Sequence, residues 1–167
     1  DIRTTVHVGA HADAPSHYVA TGQDIAARSL HFYVGPCVVV KVRGVQGRRI
    51  VPEDLAGKTL DVPRVLLATG TFPNHHAWNE DFASLSAELV DWLHARGVMT
   101  IGVDTPSVDP FDDKTLEAHH ALGRHDMANL EGLALEGVAE GRYELIALPL
   151  RLAGADGSPV RAVLRTL

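Results

Sequence analysis

Cysteine is nearly absent: Cys37 is the single thiol in 167 residues. That excludes an internal disulfide framework, and a reducing cytoplasm is the expected compartment. No apolar run is long enough to span a bilayer, and no segment reads as a signal peptide. Basic runs are also missing. With a net charge of -6, nucleic acid and anionic membranes are poor candidate partners, which leaves a small molecule as the expected one. Repeats, low-complexity tracts and linkers are not found. The length suits one domain with a real core, and 46% apolar with 22% charged residues is ordinary globular composition. Against this background histidine stands out. There are ten, and six lie in two clusters, residues 7 to 17 and 119 to 125.

The first cluster is His7-Val8-Gly9-Ala10-His11-Ala12-Asp13-Ala14-Pro15-Ser16-His17. The steps between His7, His11, Asp13 and His17 are four, two and four. Even steps in an extended chain put all four side chains on one face. A helix would align only His7 with His11, and Gly9 and Pro15 oppose a helix. A strand running into a loop is therefore expected. Imidazoles with a carboxylate suit zinc or another first-row divalent ion, and three protein ligands with an open position describe a catalytic site.

Further along, the valine-rich run Cys37 to Val42 and the apolar run Val65 to Ala68 read as buried strands. Pro52 to Leu55 opens a brief helix. The loop from Thr71 to Asn79 carries His75, His76 and Trp78; such loops often line pockets, but the adjacent histidines read as solvated. Leu85, Leu89 and Leu93 give Ser84 to Arg96 helical spacing, closed by Gly97. A strand, Val98 to Asp104, follows. Asp104 and Asp109 sit in a polar turn, where they could orient ligands or fix the turn, and the structural role is favoured. Lys114 to Leu122 reads as a short helix carrying His119 and His120, neighbours about 100 degrees apart, so only one can face a given site. Glu131 interrupts an apolar run, where a carboxylate is costly unless paired or metal-bound; a strand-edge glutamate facing water is the alternative. Tyr143 to Leu152 and Val160 to Leu167 read as strands around the turn Gly154 to Pro159. The fold class expected is a mixed, strand-rich α/β fold.

The first cluster resembles the HxGTHxDxPxH signature of the cyclase-like metal-dependent hydrolases, with Ala10 where threonine is common. Gly102-Val103-Asp104-Thr105-Pro106-Ser107, Lys114-Thr115-Leu116-Glu117-Ala118-His119-His120, Leu130-Glu131-Gly132 and Ser158-Pro159-Val160-Arg161-Ala162-Val163-Leu164 are similar to segments of the bacterial kynurenine formamidases within that family. The resemblance extends over essentially the whole chain. It implies a swivelling β/β/α fold, a homodimer and two divalent metal ions per chain, usually zinc. Carried over by motif, His7, His11 and Asp13 would hold one ion. Asp13 as a bridge, with His119 and Glu131, would hold the other, and His17 would be the general acid/base.

The activity implied is hydrolysis of N-formyl-L-kynurenine to L-kynurenine and formate in tryptophan degradation. A cyclase-family hydrolase of a related amide such as isatin, or a metal-binding protein without catalysis, are the competing expectations. The chain opens at Asp1, six residues before the first candidate ligand, so a preceding segment is expected; the formamidases carry one, with a tryptophan that helps bind the aromatic substrate.

Overall fold

A computed structural model describes residues 1–74 and 76–167 of the chain; His75 lies outside the described residues. The strands in chain order are β1 (His11–Asp13), β2 (Val34–Lys41), β3 (Arg49–Ile50), β4 (Arg64–Ala68), β5 (Ser84–Leu85), β6 (Thr100–Val103), β7 (Ala128–Glu131), β8 (Gly141–Ile146), β9 (Gly157–Pro159) and β10 (Val163–Thr166). The two α-helices are α1 (Ala87–His94) and α2 (Glu117–Arg124). Eight strands form one sheet in the order β10-β8-β2-β4-β6-β7-β1-β9, and β3 pairs with β5 separately. The centre, β2-β4-β6-β7, is parallel, and the flanking pairs are antiparallel. This is the mixed, strand-rich α/β arrangement expected from the sequence.

Side-chain alternation divides the core into two layers. Val38, Val40, Val65, Leu67, Ile101 and Val103 pack against Leu89, Val90 and Leu93 of α1 and Ala118, Ala121 and Leu122 of α2. Cys37, Val39, Leu66 and Leu130 face the opposite way, onto Tyr33, Leu133 and Leu145. A parallel centre covered on both faces needs such continuous apolar runs, which is why Val38-Val39-Val40 is buried throughout.

Several boundaries differ from the sequence expectation. The helix starts at Ala87 because Ser86 caps it, its hydroxyl accepting from the Leu89 amide at 3.0 Å; Ser84 and Leu85 are strand instead. The second helix starts at Glu117 rather than Lys114, since Leu116 takes a left-handed φ of 49° and cannot be helical. It also runs through Gly123 to Arg124. The supposed turn at 154–159 contributes β9, which pairs with β1. The first histidine cluster is not one extended strand either. Gly9 has φ 58°, and His17 belongs to a 3-10 turn, Pro15–His17. Only His11–Asp13 is strand.

The C-terminal ends of β4, β6 and β7 lie side by side. From β4 leaves the loop 69–83, and from β6 the loop 104–116. Ligand sites in open parallel sheets form at this end of the strands.

Candidate metal centre

Three of the predicted residues come from one sheet face. In the β1–β7 register His11 stands opposite Glu131 and Ala12 opposite Leu130. His11 and Asp13 therefore share a face with Glu131 and with Asn129, two residues before it. Ala12 and Leu130 point into the apolar layer behind. His119 descends onto the same face from the first turn of α2 and is 3% exposed, whereas His120 is exposed. Helical geometry required that split, and the fold makes the choice. Glu131 is 3% exposed and does not face water. His7 arrives through the turn at Gly9, and Gly132 makes that approach possible: a Cβ there would stand 2.4 Å from the Gly9 carbonyl oxygen.

The convergence on Asp13 is tight. Its Oδ1 lies 2.8 Å from His7 Nδ1 and 3.5 Å from His11 Nε2. Its Oδ2 accepts from Asn129 Nδ2 at 2.6 Å and lies 3.3 Å from His119 Nε2. Glu131 completes the face, with Oε2 3.3 Å from His11 Nε2 and Oε1 3.4 Å from His119 Nε2. Glu131 Oε1 also accepts from the Val108 amide at 2.9 Å and from Asn129 at 3.1 Å.

The hydrogen positions can be deduced from the partners. His11 Nδ1 sits 2.9 Å from the Gly9 carbonyl oxygen, which can only accept, so Nδ1 carries the hydrogen. His119 Nδ1 sits 2.8 Å from the Asp109 carboxylate, and the same reasoning applies. Both Nε2 atoms are then lone pairs aimed at the oxygens of Asp13 and Glu131. Acceptors face acceptors across a buried space, and something positive must lie between them.

Extra protons are one answer. Burial opposes a charge on His11, but Glu131 and Asp13 outweigh it and lift its pKa to about 9. Burial likewise opposes a charge on His119, and Asp109, Asp13 and Glu131 drive it up to about 12. Burial would raise Asp13, but hydrogen bonds from His119 and His7 hold it well below the carboxylate range. A divalent cation is the other answer, and the nitrogen and oxygen donor set is one that first-row ions take. Donor atoms of His11, Asp13 and Glu131 all lie within 4.8 Å of one another, and so do those of His7, Asp13 and His17. His7 Nε2 adds an orphan: it is 3.3 Å from Asp156 Oδ1 but poorly aligned, and it is buried without a hydrogen-bond partner. The residues present thus fit a metal cofactor, with Asp13 common to both groups.

His17 differs from the rest. It is exposed, its Nδ1 is 3.0 Å from Asp156 Oδ2, and its ring centroid lies 4.2 Å from that of His7 and 5.7 Å from that of His119. It lines a cavity of about 560 Å³, together with His7, His119, Glu131, Phe72 and Trp78. Because Asp156 accepts from Nδ1, the other ring nitrogen is left for the cavity.

Sequence reasoning missed three supports. Asn129 could have been found from its two-residue offset to Glu131. Asp109, read as fixing its turn, also accepts from the Ala118 and His119 amides at 3.0 Å and is gripped by Arg49 at 2.8 Å. Asp104 does keep the turn role, accepting from Thr69 and Gly70. Asp156 carried no signal, since nothing local ties it to residues 7 to 17.

Residues 1–110 match the family described as putative cyclase. The kynurenine formamidase of Maricaulis maris is 52% identical over 165 residues, covering 98% of this chain and 78% of that protein. That of Bordetella pertussis is 49% identical over 168 residues, covering 100% and 80%. A solved structure described as a potential metal-dependent hydrolase with cyclase activity superposes with a TM-score of 0.90 at 30% identity, over 98% of this chain and 81% of the other. Isatin hydrolase A of Labrenzia aggregata shares the fold at 23% identity and a TM-score of 0.78, over 100% and 76%. On the family match and these relatives, the chain belongs to the cyclase family, alongside the kynurenine formamidases.

Proposed function

We propose that this chain hydrolyses N-formyl-L-kynurenine to L-kynurenine and formate, as a step of tryptophan degradation, using two zinc ions per chain. The observation that carries the metal is the pair of imidazole lone pairs facing the Asp13 and Glu131 carboxylates. In this reading His7, His11 and Asp13 hold one ion, and Asp13, His119 and Glu131 hold the other. Two divalent ions in such a set supply an acidified water and a polarised amide oxygen.

The protein's own residues do the rest. Asn129 and Val108 orient the oxygens of Asp13 and Glu131 by donating to them. Asp109 fixes the His119 tautomer so that Nε2 faces inward. His17 is the proton carrier: Asp156 holds its Nδ1 hydrogen, Nε2 takes a proton from the water that attacks the formyl carbon, and passes it to the anilide nitrogen as the C–N bond breaks, giving formate and the arylamine. That nitrogen leaves as a neutral arylamine only when protonated, so the transfer decides turnover. The open cavity beside an exposed His17 supports catalysis over a closed, purely structural metal site.

Exposed Leu148, Leu150, Val163 and Leu167, on and near the edge strand β10, support the homodimer. Among the described residues no helix is long and apolar enough to cross a membrane; the lone, buried Cys37 suits the cytoplasm.

The deciding experiment is formate release from N-formyl-L-kynurenine, with metal quantified on the same sample, then repeated after chelation and zinc return. Activity that disappears and returns with about two zinc ions per chain is the expected result. Full activity in the chelated protein would refute the metal mechanism.

A further inference from the structure

Aromatic side chains are scarce here, yet four of the nine gather at one place. Trp78 has ring centroids of Phe72, Phe82 and Phe111 at 5.7, 6.2 and 5.6 Å, with interplanar angles of 71°, 78° and 66°. Those are three of the four phenylalanines and one of the two tryptophans in the chain. Phe72 and Phe82 are buried, whereas Trp78 is 58% exposed and Phe111 51%. Single exposed apolar residues are common, but two in ring contact, one of them lining the cavity of the histidines, are an uncovered patch. Trp78 and Phe72 line the same cavity as His17, His119 and Glu131.

The loop that carries Trp78 is pinned at its base. Asp104 accepts from the Thr69 and Gly70 amides at 2.9 and 2.8 Å and from the Thr69 hydroxyl at 2.6 Å. The Ala83 amide donates to the Thr71 hydroxyl at 2.9 Å, closing the other end. An indole braced edge-on by two buried rings presents a flat apolar surface without loss of side-chain freedom on binding.

We propose that Trp78, backed by Phe72 and Phe82, is the wall on which the aryl ring of the substrate lies, so that the site selects N-formyl anilides over formamides of aliphatic amines. This rests on the formamidase reading above and adds the residue that recognises the aromatic half. The ring sits on the indole while its formylated nitrogen reaches towards His17. Trp78 is a specificity residue and takes no part in the proton transfers.

The test pairs turnover with equilibrium binding of the product. KM and kcat for N-formyl-L-kynurenine, and the Kd of L-kynurenine by calorimetry, are measured on the zinc-loaded chain and on Trp78→Ala and Trp78→Phe. Trp78→Ala should raise both KM and Kd about tenfold and leave kcat within about twofold, and Trp78→Phe should recover most of the loss. Zinc content should not change. Formate release with KM and Kd unaltered in Trp78→Ala would overturn the wall and leave the formamidase reading standing. Kynurenine binding that depends on Trp78, without formate release by the unsubstituted chain, would do the reverse. No kynurenine binding by the unsubstituted chain would also overturn the wall.

Discussion

The two sides of Asp13 are built differently. On the deep side His11, His119 and Glu131 are each at most 4% exposed, and their outward atoms are held by Gly9, Asp109 and Val108. Behind them Arg49 bridges Asp109 and Asp113, tying β3 to the loop that leads into α2. On the shallow side the His7 and His17 side chains are 24% and 33% exposed; His17 leans on the half-exposed Asp156, and His7 on Asp13 with Asp156 beyond. The deep side is rigid because every polar atom there would otherwise be buried unpaired. The shallow side has solvent to spare it that cost, so its side chains can exchange protons with substrate.

The comparison can be broken most severely at the shared residue. Asp13→Ala should abolish metal retention on both sides and lower formate release at least about a thousandfold, measured by elemental analysis and a formate assay; full metal content would sink its bridging role. His17→Ala should cut kcat by about 10² to 10⁴ while zinc stays bound. Zinc lost along with activity would move His17 among the ligands, as its grouping with His7 and Asp13 allows.

Asp109→Asn tests the deep side from behind. It should weaken zinc affinity about 10- to 100-fold in a chelator competition, since the Asn side chain no longer fixes the His119 tautomer. Unchanged affinity would limit Asp109 to capping α2. The smallest effect belongs to Asp156→Asn, with kcat about tenfold lower and metal affinity unaltered. A drop in metal affinity there would erase the distinction between the two sides.

How the site was legible follows the same division. His11, Asp13 and Glu131 were readable because strand alternation and the cost of a buried carboxylate are local rules. His7 and His17 were grouped with the others by a parity argument whose premise, extended geometry from His7 to His17, does not hold. Gly9 and the Pro15–His17 turn bring them in by other means. Asn129 and Asp109 lie within reach of Glu131 and His119 along the chain, whereas Arg49 and Asp156 act on partners 60 and 139 residues away, which no window of sequence contains. The same holds for β9, read as a turn because Gly157-Ser158-Pro159 is strand only through its pairing with β1. Trp78 lay in a loop whose pocket-lining role was open from sequence, and only its place beside the histidines gives it one.

The position of β1 between β7 and β9 also sets an order of events during synthesis. Ala12 pairs with Leu130 on one side and Ser158 on the other. The histidine-rich segment is made well before β7 and β9 and waits for them before its strand has neighbours, at roughly 5 to 20 residues per second. Contacts of such long sequence separation form late in folding. The candidate site therefore comes together only once β9 has been made, and the nascent chain passes seconds with His7, His11 and Asp13 outside any sheet.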